Sequence, residues 1–151
     1  MKEYIMKNKI LLILIIFMVI LVAITYALYN YRIEMQETQR TNNEYKSYYQ
    51  KKMLGTELVS IINKTEDTNA KNNIEKDSEG LYIDNGENSI KVYVKLIYKE
   101  DYTTVEIEKI LNNGIEKFIN AYSTADFECT EITYHEKNGN VKSLIFTEIE
   151  D

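Results

Sequence analysis

His135 is the only histidine in the chain, and histidine is the side chain that most often serves as general base or metal ligand. Glu131 and Glu136 flank it. On an extended strand Glu131 shares the histidine's face and Glu136 points the other way. One imidazole with one or two carboxylates falls short of a zinc ligand set, so a solvated histidine beside a turn is expected. Cys129 is the only cysteine. A thiolate nucleophile needs its base within hydrogen-bond reach, but six strand residues separate Cys129 from His135, about 20 Å. That pairing is rejected. A lone cysteine also excludes an intramolecular disulfide and a multi-cysteine metal site. Cys129 is expected to be buried as a small apolar residue.

The run Asp84-Asn85-Gly86-Glu87-Asn88 is rich in oxygen ligands. It lacks the alternating acids and closing glutamate of an EF-hand loop, so it is read as a turn. There is no glycine-rich phosphate loop, nucleophile elbow, His-Glu-x-x-His pattern or paired-carboxylate motif. The expectation is a non-enzymatic protein with no cofactor and no metal.

The elements that position these residues form an α+β head. Ile90, Val92, Val94, Leu96 and Tyr98 alternate with Lys91, Tyr93, Lys95 and Lys99, which predicts a half-buried strand over 89–98. Leu81-Tyr82-Ile83 predicts a short strand before it, and 64–79 a polar surface loop. Thr103-x-x-Glu106 has capping-box spacing. The apolar repeat Ile107, Ile110, Leu111, Ile115, Phe118, Ile119, Tyr122 then predicts a helix over 104–122, either continuous or broken at Gly114. Asn138-Gly139 predicts a type I′ hairpin. Counted outward from that turn, Lys137 opposes Asn140, His135 opposes Lys142, Thr133 opposes Leu144 and Ile132 opposes Ile145. Ile132, Tyr134, Val141, Ile145 and Ile149 then share one face, with Phe127, Cys129, His135, Leu144 and Phe146 on the other. Both faces would need covering, one by the N-terminal amphipathic helix and one by the 104–122 helix.

That amphipathic helix is read from Tyr45, Tyr48, Tyr49, Met53, Leu58, Val59, Ile61 and Ile62, with Gly55 inside it marking a close backbone approach. Tyr45, Tyr48 and Tyr49 form a candidate interaction face, against the plainer reading of helix-to-sheet packing. Asn63-Lys64-Thr65 matches a glycosylation sequon.

Upstream, every residue from Ile10 to Ile24 is apolar, and no charge occurs until Arg32. That length crosses about 30 Å of hydrocarbon as a helix. Ile10, Leu14, Phe17, Leu21, Ile24 and Leu28 are its candidate anchor residues. Tyr26, Tyr29 and Tyr31 follow the run, where amphipathic rings favour the interface, and Lys2, Lys7 and Lys9 precede it, which predicts a cytoplasmic N-terminus and an extracellular C-terminal domain. The division expected is 1–9 cytoplasmic, 10–29 transmembrane, 30–43 stalk or linker, and 44–151 extracellular α+β domain. A cleaved signal peptide is the competing reading: Thr25-Tyr26-Ala27 is a small-x-small site, and cleavage after Ala27 would release a secreted domain. The uncharged run exceeds the usual signal-peptide core, which favours the anchor.

The chain has 151 residues, with formal charge −6, no proline and no tryptophan. An acidic chain without a basic stripe repels phosphate backbones, so no nucleic acid partner is expected. The abundance of Asn, Lys, Ile, Glu and Tyr suggests an AT-rich genome, and a bacterial source is expected from it.

A lysine-flanked hydrophobic helix, an amphipathic continuation and a small antiparallel sheet with a further helix resemble the type IV pilin-like proteins in organisation. The hydrophobic run holds neither the Gly nor the Glu of a prepilin processing motif, so the resemblance stops at architecture. Leu54 to Asn63 also resembles a segment of uncharacterised small membrane-anchored clostridial proteins, which brings no activity with it. The resemblance implies an envelope-facing interaction or structural protein. Its expected partners are the lipid bilayer and a protein, or a second copy, engaged through the N-terminal helix. The alternative is an extracellular ligand-binding or sensor module using the 64–90 loop with Tyr82, Tyr93, Tyr98 or Tyr102.

Overall fold

The computed structural model describes residues 2–99 and 101–150, with side chains described from Lys9 onward. The side chains of Lys2, Glu3 and Lys7 therefore lie outside the described residues, and with them most of the cytoplasmic charge cluster expected from the sequence. The chain divides into two compact units, residues 1–41 and 42–151.

Helix α1 runs Lys2–Lys46, through the predicted stalk and past Thr41, so Thr41-x-x-Glu44 starts no new helix. No proline or glycine interrupts it. In the first unit the apolar run is exposed on every side, from 43% at Leu21 to 64% at Ile13 and Val22. The hydroxyl of Thr25 is satisfied inside the helix, 2.6 Å from the Leu21 carbonyl and 3.0 Å from that of Val22. An apolar environment requires that self-sufficiency of every polar group. This is one helix long and apolar enough to cross a membrane.

In the second unit the elements after α1 are β1 (Lys52–Leu54), α2 (Gly55–Lys71), β2 (Lys91–Tyr98), β3 (Asp101–Glu106), α3 (Ile107–Asn113), α4 (Ile115–Tyr122), β4 (Asp126–Tyr134) and β5 (Val141–Ile149). The five strands form one sheet in the order β1-β4-β5-β2-β3. The α+β class stands, with two refinements. The sheet is mixed, because its central β5–β2 pair is parallel, and the helix expected after β3 takes the broken alternative, as α3 and α4.

The predicted helix through Tyr45 and Ile62 is broken. The chain leaves α1 at Lys46, turns with Gln50 at φ 57, and lays Lys52–Leu54 against β4 before α2 begins. Met53 fills the core from this edge strand. Gly55 starts α2 instead of sitting inside a helix, and it does mark a close approach. A Cβ there would lie 1.9 Å from the Tyr122 carbonyl oxygen. The first N–H groups of α2 are taken by that same neighbourhood, Gly55 by the Ala125 carbonyl and Thr56 by that of Ser123. Glu57 accepts the Leu54 N–H at 3.0 Å, the return half of a capping box.

Two further corrections concern helix extent. Helix α2 continues to Lys71, so the first half of the predicted 64–79 loop is helical, with Thr65 and Asn69 buried on the stripe started by Leu58, Ile61 and Ile62. Thr103 and Glu106 cap nothing across their spacing, since both lie in β3 and the helix starts at Ile107. Gly114, at φ 95, separates α3 from α4.

The hairpin register is shifted. Among its loop residues only Gly139 has positive φ, whereas a type I′ turn needs two such residues. The loop is longer, with the Gly139 N–H on the His135 carbonyl and the His135 N–H on that of Asn140. Tyr134 then pairs with Val141, Thr133 with Ser143, Ile132 with Leu144 and Glu131 with Ile145. Irregularities fall between Cys129 and Glu131 and between Thr133 and Tyr134, leaving Thr130 and Lys142 as extra residues. Each extra residue inverts the alternation. Phe127, Cys129, Ile132, Val141, Leu144 and Phe146 therefore all meet one core. That core includes residues of α2, α3 and α4, so the helices share one side of the sheet instead of dividing between its faces.

Candidate functional site

The head carries a cleft of about 400 Å³ lined by Asp77, Tyr82, Ile83, Asp84, Ser89, Lys91, Tyr93, Lys142 and Ser143. Its outer wall is the 72–90 connection, and its floor is the start of β2 and β5. Residues expected to act separately come together here.

Asn69 anchors this wall from below. Its side-chain amide donates to the Ile90 carbonyl at 2.7 Å, and its carbonyl accepts the Ile90 N–H at 2.9 Å. Both groups are buried, so the clamp replaces the ladder bonds the chain lacks just before β2. The predicted strand at 81–83 is reduced to one bridge, Lys76 to Tyr82. Asp77 organises the turn before it, accepting the N–H groups of Glu79 and Leu81 at 2.9 Å each.

The Asp84–Asn88 run is a turn, as read from its sequence, and its oxygens face inward on the chain. Asn85 Oδ1 accepts N–H groups from Glu87, Asn88 and Ser89, each at 3.0 Å. Asp84 Oδ1 takes the Gly86 N–H at 2.8 Å, and Asp84 Oδ2 lies 2.7 Å from Lys142 Nζ. The lysine hydrogen bond, helped by the Gly86 N–H, holds the Asp84 carboxyl down at about 2. Among the described residues no three His, Cys, Asp or Glu side chains are grouped to hold a metal.

His135 is not the solvated residue expected. It is buried, with Nε2 2.8 Å from the Ser89 carbonyl and Nδ1 3.7 Å from Asp84 Oδ1. A carbonyl only accepts, so Nε2 carries the proton and Nδ1 faces the aspartate. The histidine thus serves as a buried strut between the 84–89 loop and the hairpin. Lys137 pairs with Glu87, while Asn138 and Asn140 donate to the Glu87 carbonyl at 2.8 and 3.2 Å. Sequence reasoning missed this junction because its partners lie about 50 residues apart.

Glu108 was not singled out either. It sits in the first turn of α3, buried, with Oε1 accepting the Tyr82 N–H at 3.3 Å. Burial pushes its carboxyl up. Its other oxygen has no hydrogen-bond partner among the described residues. The only sequence signal was a charged residue set between Ile107 and Ile110 in an apolar repeat. Glu131 and Glu136 are exposed, and neither is hydrogen-bonded to His135. Cys129 is buried, as expected, and burial pushes its thiol up to about 11.

Of the tyrosines considered for ligand contact, the cleft unites Tyr82 and Tyr93, while Tyr98 and Tyr102 lie outside it and are exposed. Tyr82 is packed under Lys76, whose Nζ stands 4.4 Å from the ring centre. In the N-terminal trio, Tyr45 is fully buried with its hydroxyl 3.1 Å from Thr65 Oγ1. Tyr48 is half-buried and reaches Glu44 at 3.2 Å. Tyr49 presents about half its surface, 51%. The sequon at Asn63 has its Thr65 hydroxyl inside the core, donating to the Ile61 carbonyl at 2.9 Å.

Comparison of the chain with protein-family models, characterised proteins and solved structures found no match.

Proposed function

We propose that this chain is a single-pass, membrane-anchored interaction protein. Its N-terminus is cytoplasmic and its α+β head is extracytoplasmic, in the general arrangement of pilin-like envelope proteins. The observation that carries this reading is the uncharged run from Ile10 to Tyr31, which leaves apolar side chains exposed all round and has the Thr25 hydroxyl satisfied within the helix. In water such a surface is unfavourable by about 25 cal/mol for each Å² of apolar area; in a bilayer the penalty disappears. Lys2, Lys7 and Lys9 before the run favour this orientation.

The ligand-binding alternative would use the cleft. Its acidic groups are already engaged, Asp84 with Lys142 and Asp77 with backbone N–H groups, so the cleft supports the interaction reading better than a dedicated ligand site.

The test is protease accessibility in intact cells combined with crosslinking. External protease is expected to remove the head while sparing a tag placed before Met1, and crosslinkers to capture a protein partner or a second copy. A protected head, or monomer alone under several crosslinking chemistries, overturns the reading.

A further inference from the structure

Strand β3 forms one edge of the sheet and, among the described residues, is paired on one side only, with β2. Edge strands are ordinarily blocked by brevity, by lysine or proline, by a bulge, or by a covering element. The opposite edge, β1, has three residues. β3 has six, keeps an unbroken register with β2, and contains neither Lys nor Pro between Asp101 and Glu106. Asp101, Tyr102, Thr103 and Thr104 are all exposed, and the uncharged centre Tyr-Thr-Thr-Val consists of strand formers. An edge this open favours pairing with another strand.

The strand's own alternation defines that pairing. Successive residues of an antiparallel ladder aim their N–H and C=O groups to opposite sides. Asp101 closes the turn against Tyr98, so Asp101, Thr103 and Val105 serve β2. Of the alternate residues, Thr104 has both main-chain groups directed outward; the Tyr102 N–H is taken by the Asp101 carboxylate at 2.7 Å and the Glu106 carbonyl by the first turn of α3, leaving the Tyr102 carbonyl and the Glu106 N–H.

We propose that β3 is a self-association edge: a second copy of this chain pairs its β3 antiparallel to the first, about a two-fold axis at Thr104. Tyr102 then faces Glu106 of the second copy, Thr103 faces Val105, and Thr104 faces Thr104. Thr104 exchanges both of its main-chain hydrogen bonds with its counterpart, and each Glu106 N–H donates to the Tyr102 carbonyl opposite. An axis between Thr103 and Thr104 would oppose Asp101 to Glu106 at both ends and misalign the outward groups. An axis at Thr103 would leave Glu106 unused. The Thr104 register brings no like charges together, which makes the strand self-complementary. The proposal rests on the membrane-anchored reading, because a shared membrane holds copies in one orientation and raises their effective concentration.

The test uses the full chain in isolated membranes under mild oxidation, with native Cys129 buried and silent. Thr104→Cys is expected to give several-fold more disulfide dimer than Lys117→Cys, an exposed control on α4. The Cα separation in such a pair is about 5.5 Å, within disulfide reach. Thr103→Cys and Val105→Cys chains, co-expressed, are expected to crosslink to each other and only weakly to themselves. Equal dimer yields from Thr104→Cys and Lys117→Cys, or strong Thr103→Cys homodimer, overturn the β3 pairing. Recovery of the intact chain in the soluble fraction overturns the anchored reading instead, and with it the confinement on which the proposal depends.

Discussion

Asp84 links the loop and hairpin that wall the cleft, and its titration reports on that junction. Its carboxyl is held at about 2 by Lys142, against an ordinary value near 3.9. A depressed carboxylate contributes stability that is fully present above the unfolded value and is lost as pH falls through the folded one. Asp84 remains partly exposed, so the contribution is discounted to under about 1 kcal/mol. The stability gap between the wild-type chain and Asp84→Asn is expected to stay constant from neutral pH to about 4 and to close by about pH 2. Melting curves across that range check it, and a gap that persists unchanged to pH 2 contradicts it. The sequence revealed the turn at Asp84–Asn88 and the burial of Cys129, because local composition and residue type govern both. It did not reveal His135 as a strut, since burial of a histidine depends on a carbonyl 46 residues away.

Gly55 shows how element boundaries are decided by neighbours. Its missing side chain lets the start of α2 rest on the Tyr122 carbonyl, in a helix-to-helix approach that no side chain fits. Gly55→Ala is expected to destabilise the chain by about 3 kcal/mol or more, as overpacking against rigid backbone does. Urea unfolding of the full chain in detergent measures this, and a loss below about 1 kcal/mol would show that the contact relaxes easily. The close approach was legible at Gly55, but the break before it was not, because Ser47 to Lys51 contains neither Gly nor Pro. Likewise Thr103-x-x-Glu106 fits a cap as well as a strand, since threonine suits both. The two extra residues at Thr130 and Lys142 explain the largest misreading. Strict period-two counting placed Ile132 and Val141 on the face opposite Phe127, Cys129, Leu144 and Phe146, whereas the irregularities bring them to the same core. The alternation of β2 and the helical stripe after Leu58 were legible because neither contains such a shift.

At the scale of the molecule, the chain is two units of opposite character. One is an apolar run that packs on nothing within its own unit; the other is an acidic head with its own core of Tyr45, Leu58, Val94, Phe127 and Phe146. The first was legible from composition alone, because a span needs only length and the lack of charge. The head's topology was legible only in class, since parallel pairing of β2 with β5 joins strands some 50 residues apart. The central claim is that the first unit resides in a bilayer, and extraction of whole membranes with alkaline carbonate tests it most directly. The full-length chain, with its first thirty residues intact by mass, is predicted to stay in the membrane pellet, and Leu14→Lys with Phe17→Lys to shift it toward the supernatant. Full-length wild-type chain released wholly into the supernatant would contradict the account.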